Sequence, residues 1–341
     1  MDRKPEDVPL CANTIKVGII YNLKKGIAVK NEDDEAEYDN IETVQNLQNA
    51  FIKNGYKVEL LEADYNLPKK LENTDIDIAF NIAEGFNGRG REAQVPSLLN
   101  MYKIPFTGSD ETTLAVALDK GLTKRLLTTY GVKTPGYIII NSLDELKNKF
   151  NLTFPVIVKP NAEGSSKGIT SFCVAKDLVE LYSMLESDFE KYAEPMLVEE
   201  YISGREFTVG LLGNGDSVKV FPPMEIIYKK KTSEFNVYSY EVKKDYLNRI
   251  AYESPARMTL KQNSVMIKYA KLVFEGLGCK DFARVDFMMN TRGDVYFIEC
   301  NPLPGLAKNY SDLPHLAELN GVDFDTLVCA VLKNGIERNF K

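Results

Sequence analysis

Short β-branched runs and stretches of helical spacing take turns along this chain, and their order predicts its architecture. Ile15-Lys16-Val17-Gly18-Ile19-Ile20-Tyr21 is an apolar run ending in polar residues, a first strand and its loop. From about Ile41 to Asn54 the apolar positions Val44, Leu47, Ala50 and Phe51 keep helical spacing, and Asn54-Gly55 closes the helix. Tyr56 to Leu61 and Ile76 to Asn81 predict the next two strands. This strand–helix–strand rhythm marks residues 14 to about 106 as a parallel α/β unit, with Pro105-Phe106-Thr107-Gly108-Ser109 as a junction.

A helical pair is predicted near 112–131, broken by Gly131 and Pro135. Strands at Tyr137 to Ile140 and Pro155 to Lys159 then alternate with helices at Leu143 to Phe150 and Leu178 to Leu185. Met196 to Ile202 reads as a strand whose exit carries Ser203-Gly204-Arg205-Glu206. Phe207 to Leu212, Lys219 to Pro222 and Ala283 to Met289 continue as strands, with a helix near 260–275 between them. Residues 229–250 are charged, Tyr-rich and without a clear period, so a loop is expected there. The fold class is α/β, turning α+β in the C-terminal part.

Composition narrows the function. The 341 residues suffice for two or three domains, and a net charge of −7 with a pI near 5.2 argues against nucleic-acid partners. The acidic run from Glu32 to Glu37 reads as a solvated loop. Cys11, Cys173, Cys279, Cys300 and Cys329 are scattered and lack any CxxC spacing, as in a reduced, cytoplasmic protein. His315 is the only histidine, which sets aside His-dependent triads and His-rich metal sites. Met1 opens no charged-then-apolar leader, and no apolar run approaches the roughly 18 residues of a membrane span. No membrane partner is expected.

Two segments carry chemistry. In the first, Arg284-Val285-Asp286-Phe287 is followed by a Gly293-Asp294 turn and Glu299-Cys300-Asn301-Pro302-Leu303-Pro304-Gly305. On neighbouring strands, Asp286, Glu299 and Asn301 would share one face, because alternate side chains of a strand point the same way. Two carboxylates and an amide oxygen suit Mg²⁺; a hairpin with solvated acids is the plain alternative. The second segment, Lys159-Pro160-Asn161-Ala162-Glu163-Gly164-Ser165-Ser166-Lys167-Gly168, puts a strand-end lysine before a Gly/Ser loop that could close on phosphate oxygens. It lacks the GK[ST] ending of a Walker A sequence, and Lys120 in Leu118-Asp119-Lys120 is a second candidate cation.

Together these motifs resemble the D-alanine–D-alanine ligase family of the ATP-grasp superfamily. The resemblance runs from about Val17 to Leu332 through six motifs in family order. They are Pro105 to Ser109, Leu118-Asp119-Lys120 with Lys124, Val158-Lys159-Pro160 with Gly164 to Gly168, Glu199 to Val209, Ala283 to Asp286, and Glu299 to Asn301 with Pro304-Gly305. It implies a three-domain ATP-grasp ligase, divided at 1–106, 107–205 and 206–341, with ATP between the last two. Lys120 and Lys159 would contact the phosphates, with Ser165 and Ser166 closing over them. Glu199, Glu200 and Ile202 would run beside adenine, Glu206 would accept from the ribose hydroxyls, and Lys243 would stand in the covering loop. Asp286, Glu299 and Asn301 would hold two Mg²⁺ ions, with Mn²⁺ as a substitute. Arg284, the Gly305 backbone and Ser165 would act at the reacting centre, and Ser311 would meet the second amino acid's carboxylate.

Departures from the family fall in the amino-acid pocket. Glu84 stands where the family has histidine, Arg89 where it has glutamate, and Lys244 where it has the covering tyrosine. Glu37 is an approximate counterpart of the acid that grips the substrate amine. The chemistry implied is carboxylate phosphorylation followed by amine attack on the acyl phosphate, with no side-chain nucleophile. D-Alanine is the default substrate, and the partners implied are small-molecule amino acids, with a homodimer as an allowed assembly. A related ligase with another amino acid or amine acceptor is the alternative, and a non-catalytic ATP-binding protein is the alternative of another class. Arg89 and Lys244 would favour a substrate with a second anionic group.

Overall fold

The computed structural model describes residues 15–25, 35, 37–164, 173–192, 194–229 and 234–340. Its elements form three sheets. Val17, Ile19 and Ile20 are fully buried because helices cover both faces of their strand, the setting in which parallel sheets occur. This first part comprises β1 (Lys16–Tyr21), α1 (Ile41–Lys53), β2 (Lys57–Glu62), α2 (Leu67–Asn73), β3 (Ile78–Asn81) and α3 (Gln94–Met101), with parallel order β2-β1-β3. Val44, Leu47 and Phe51 of α1 pack on one face, and Leu67, Leu71, Val95 and Leu99 on the other. The expected junction is anchored, since Thr107 N–H donates to Ala79 O at 2.9 Å and Ala79 N–H to Pro105 O at 2.8 Å.

The second sheet follows α4 (Glu111–Leu118) and α5 (Lys120–Thr129) and comprises β4 (Tyr137–Ile140), α6 (Leu143–Lys149), β5 (Val156–Pro160), β6 (Val174–Ala175), α7 (Leu178–Tyr192) and β7 (Met196–Glu200). Its order is β4-β7-β5-β6, every neighbour antiparallel. Leu146, Leu181 and Leu185 of α6 and α7 pack against Val156, Val158, Met196 and Val198. Alternation then turns Ile157, Lys159, Leu197 and Glu199 to the opposite face.

The third sheet is built from β8 (Gly204–Leu212), β9 (Lys219–Val220), β10 (Met224–Tyr228), α8 (Tyr240–Lys244), α9 (Tyr246–Arg249), β11 (Ile250–Glu253), α10 (Leu260–Leu277), β12 (Phe282–Asn290) and β13 (Val295–Asn301), followed by α11 (Asp312–Leu319) and α12 (Phe324–Asn339). The order is β11-β10-β8-β12-β13, with β9 on β8. A Thr259/Gln262 capping box starts α10 and a left-handed Gly278 ends it. Met266, Ala270, Val273 and Phe274 of α10 cover Val285 and Phe287. The expected loop at 229–250 is corrected: α8, α9 and the start of β11 lie within it. One-turn helices are too short to display a 3.6-residue period, and Tyr238 and Tyr246 pack with Ile226, Val242 and Ile250. No helix among the described residues is long and apolar enough to cross a membrane.

Asp281 ties these parts together. It is fully buried, adopts φ 62° and accepts from Gly108 N–H at 2.8 Å, Asn214 Nδ2 at 2.7 Å and Arg338 Nη2 at 2.9 Å. The same Arg338 group donates to Phe106 O at 2.8 Å, so the junction, the β12 entrance and α12 meet on one carboxylate. Asp281→Ala strips Arg338 of its anionic partner and leaves Gly108 N–H unsatisfied, and a loss of about 3 kcal/mol in urea unfolding is expected. An unchanged midpoint would show that the apolar contacts of α12 hold the junction alone.

Candidate active site

The centre of the site is the β12–β13 pair. Asp286 lies directly opposite Glu299, and Arg284 opposite Asn301. Strict alternation from the core residue Phe297 would have buried Glu299 on the same side. A bulge between Asp286 and Phe287 skips Ile298 and moves Glu299 and Asn301 to the cavity face, while Cys300 goes to the core. On the next strand Thr208 faces Asp286 and Gly210 faces Arg284. A Cβ on Gly210 would come within 2.7 Å of Leu313 Cδ1, so the absence of a side chain lets α11 lie close and brings Ser311 and Asp312 over the sheet.

Asp286 accepts from Thr208 Oγ1 at 2.6 Å, Arg284 Nη2 at 2.8 Å and Asn301 Nδ2 at 3.1 Å. Burial raises the Asp286 carboxyl against the pull of Arg284. Burial pushes on Glu299 too, but Lys120, Lys159 and Arg284 outweigh it and hold that carboxyl below its usual range. Two carboxylates and an amide, without sulfur or imidazole, form an all-oxygen set that fits Mg²⁺. Among the described residues no cluster of three or more His, Cys, Asp and Glu offers another metal site.

Beside this pair stands a buried ion triad. Glu199 sits between Lys124, at 2.9 Å, and Lys159, and both lysines are almost wholly enclosed. Burial opposes ionisation of Glu199, yet the two lysines hold its carboxyl down to about 2. Lys120 and Lys124 are one helical turn apart, so α5 presents both to the same region. That helix is stitched to the end of β5: Asn161 Oδ1 accepts from Gly121 N–H at 2.9 Å, and Asn161 Nδ2 donates to the capping residue Asp119 at 2.8 Å. Lys120 Nζ reaches Glu299 at 3.8 Å and donates to Glu163 O. At the far side Glu206, half-buried and pushed up to about 7 by desolvation, accepts from Tyr228 Oη at 2.7 Å.

At the other end, β3 leads into Glu84 and a left-handed Gly85, and a short 3₁₀ turn over Arg91–Ala93 follows. Arg91 grips Glu37 in fork geometry, Nε to Oε2 at 2.9 Å and Nη2 to Oε1 at 2.5 Å, and donates to Ala162 O at 2.8 Å. Gly164 N–H also donates to Glu37 Oε1, at 2.7 Å. Glu84 and Glu92 line the same cavity. Burial raises both carboxyls, reinforced by their neighbouring acids, and Glu92 is pushed up to about 8.

One cavity therefore joins Glu37, Glu84, Lys120, Lys159, Glu199, Glu200, Ile202, Glu206, Lys243, Arg284, Asp286, Glu299, Asn301, Gly305 and Ser311. Ser165 and Ser166 lie outside the described residues, as does most of the acidic run before Glu37. Arg89 and Lys244 correct the expected pocket. Arg89 is on the surface, 3.6 Å from Asp119, and Lys244 is exposed on α8, both outside the cavity. Arg89 is satisfied by solvent and Asp119, and Lys244 stands in solvent. The sequence did not point to Arg91, Glu92 or Asp312. Asp312 is buried, 3.5 Å from Arg284 Nη1, and accepts from Tyr252 Oη at 2.9 Å and Tyr238 Oη at 3.2 Å. The neighbouring doublet Arg91-Glu92 after three closely spaced glycines was the one available signal for the others.

The fold and site define an ATP-dependent ligase of the ATP-grasp class. Residues 126–333 match the sequence model of the D-ala D-ala ligase C-terminus. The D-alanine–D-alanine ligase of Carboxydothermus hydrogenoformans is 34% identical over 299 residues, covering 84% of this chain and 90% of that one. That of Aquifex aeolicus is 35% identical over 280 residues, covering 82% and 89%. The crystal structure of D-alanine–D-alanine ligase from Bacillus anthracis complexed with ATP superposes with a TM-score of 0.74 at 25% identity, covering 96% and 98%. The chain belongs to the D-alanine–D-alanine ligase family.

The enclosed acids set a pH dependence. A carboxyl raised when folded contributes stability that is complete below its unfolded value of about 4.5 and lost as pH rises toward about 8, the folded value at Glu92. Glu37, Glu84, Arg91, Lys120 and Glu299 are the charged groups that act on it. Glu92→Gln removes this loss, so its melting temperature should gain on the wild type between about pH 5 and pH 8 and stay ahead above. A constant difference across that range would contradict the burial of an ionising Glu92.

Proposed function

We propose that this protein joins two molecules of D-alanine: it transfers the terminal phosphoryl group of ATP to one carboxylate and lets the second amine attack the acyl phosphate. Phosphate leaves and a dipeptide amide remains. The observation that supports this most directly is the Asp286–Glu299 opposition beside Arg284, in one cavity with Lys120 and Lys159. We assign segments 1–106, 107–205 and 206–341 to its three domains, and its place of work to the cytoplasm, where ATP and free amino acids are supplied.

In this reading Lys120 and Lys159 bind the phosphates, with Lys124 and Glu199 fixing the position of Lys159 rather than touching nucleotide themselves. Glu200 and Ile202 flank adenine, Glu206 accepts from the ribose hydroxyls, and Lys243 adds charge from the covering segment. Ser165 and Ser166 close the phosphate side. Asp286, Glu299 and Asn301 would hold Mg²⁺, or Mn²⁺ in its place, which supplies the charge neutralisation that phosphoryl transfer needs. Arg284 and the Gly305 N–H donate to the oxyanion of the tetrahedral intermediate, and Ser311 orients the acceptor's carboxylate. Asp312 keeps the Arg284 fork aimed. The preference for an anionic side chain falls away, because the two cations that motivated it are outside the cavity.

Glu299→Gln should abolish Mg²⁺-dependent phosphate release from ATP and D-alanine, since one anionic donor is gone while size is kept; turnover near the wild-type rate would remove the metal assignment. Arg284→Ala should lose about 10²–10³ in kcat, the typical cost of one preorganised oxyanion donor, while calorimetric ATP affinity stays within a few-fold. Lost affinity with unchanged kcat would make Arg284 a nucleotide ligand instead. An amino-acid panel scored by phosphate release tests the substrate itself, and D-alanine should lead it.

A further inference from the structure

We propose that Asp312 is the general base of the second step: it receives the α-ammonium of the accepting amino acid, takes one proton from it and releases the free amine to attack the acyl phosphate. This rests on the ligase reading above and deepens it. An amino acid carries ammonium rather than amine near neutral pH, so a proton must leave before the nitrogen can act as a nucleophile. The position of Asp312 suits that task. It is 2% exposed, opens α11 directly after Ser311, and lines the cavity together with Arg284. Its Oδ1 accepts from Tyr252 Oη at 2.9 Å and Tyr238 Oη at 3.2 Å, while Oδ2 lies 3.5 Å from Arg284 Nη1. That contact is the looser one for Arg284, whose Nε and Nη2 donate to Asp286 at 3.0 and 2.8 Å. Oδ2 can therefore turn to an arriving ammonium while Asp286 keeps the guanidinium.

With the acceptor's carboxylate on Ser311 and the oxyanion on Arg284, the attacking nitrogen belongs beside both. Asp312 is the chain neighbour of the first and the ion partner of the second. The groups that face it are Arg284 from β12, Glu206 from β8, Tyr252 from β11, and Tyr238 and Lys243 from the covering segment, with His315 of α11 packed on Tyr252. Among these none is as well suited to take the proton. Arg284 and Lys243 are cations, and burial and the Asp312 charge push both tyrosine hydroxyls up, so they stay donors. Glu206 accepts from Tyr228 at the ribose side, Asp286 and Glu299 are committed to the metal, and His315 is off the cavity wall. Burial also draws the Lys243 ammonium below its usual range, against the pull of Asp312 and with Arg284 adding to it. The same surroundings would make a substrate ammonium a stronger acid, which brings its proton within reach of a carboxylate. One proton passes to Asp312, the nitrogen lone pair forms the C–N bond, and the C–O bond to phosphate breaks with its electron pair on the phosphate oxygen. The surplus proton on nitrogen leaves with that phosphate, and Asp312 returns its own to solvent.

Hydroxylamine is already a free base near neutral pH, and it traps the same acyl phosphate as a hydroxamate with no ammonium to deprotonate. Both products need the oxyanion donor Arg284, so the ratio of dipeptide to hydroxamate, at fixed D-alanine and hydroxylamine, reads the base alone. Asp312→Asn should lower dipeptide formation by about 10²-fold at pH 7, the lower end for loss of a positioned base, and hydroxamate by no more than a few-fold. The dipeptide deficit should shrink by about tenfold per pH unit as free amine accumulates at higher pH. Asp312→Glu keeps the anion but displaces it by one methylene; it should shift the ratio less and in the same direction, and provides the readout if Asp312→Asn folds poorly. Tyr252→Phe removes a donor from Oδ1 but leaves the carboxylate, and should keep the wild-type ratio. A wild-type ratio in both Asp312 variants, with dipeptide and hydroxamate falling together, would overturn the base and leave Asp312 a support for Arg284. Absence of hydroxamate and ADP from wild type with every amino acid would instead overturn the ligase reading, and the base with it.

Discussion

Glu199 between Lys124 and Lys159 is the interaction on which the nucleotide end of this protein depends. It joins α5, β5 and β7 through one carboxylate, and its surplus positive charge has nowhere to discharge except toward the cavity. Burial draws Lys124 down to about 8, so the triad is held near its limit by Glu199 and not by solvent. Removing the acid would leave two enclosed ammonium groups facing each other. The arrangement makes sense when polyanionic phosphates are the expected company, because their charge completes what the protein leaves open.

The opposite surplus lies a short way along the same cavity. Glu37, Glu84 and Glu92 surround one arginine, and Asp286 and Glu299 collect Arg284 and Lys120. In the proposed reading, the cationic groups at one end and the carboxyl groups at the other define a direction in which a nucleotide and an amino acid can meet. Such separation of fixed charge is the main tool of enzymes that use positioning and electrostatics instead of a side-chain nucleophile. Asp312, held by Tyr238 and Tyr252 while it supports Arg284, extends this order into the segment over the site.

The hydrophobic pattern was enough to lay out β1, α1, β2 and β3, because fully covered parallel strands need long apolar runs and their helices need a stripe. It was likewise enough for α10 and β12, while β13 was expected from the Gly293-Asp294 turn and the acid and amide two residues apart that follow it. The segment at 229–250 was not legible, since α8 and α9 are single turns held by tyrosine packing rather than by any period of their own. Motif order also placed most of the cavity's residues, as Lys120, Lys159, Glu206, Asp286 and Glu299 all line one space.

What the sequence by itself determined was therefore the inventory and its order: an α/β succession of strands and helices, two candidate lysines, an acid pair with an amide, and a family pattern. Only the tertiary structure decided which charges are enclosed. Period-two alternation from Phe297 would have sent Glu299 into the core, and the bulge at Ile298 reverses that by adding one unpaired residue. Arg89 and Arg91 are two positions apart and look alike on paper, yet one is exposed, 3.6 Å from Asp119, and the other is locked to Glu37 inside. Burial changes the free energy of a charge by more than any local preference does, and burial belongs to the packing of distant segments, not to the neighbours of a residue in the chain.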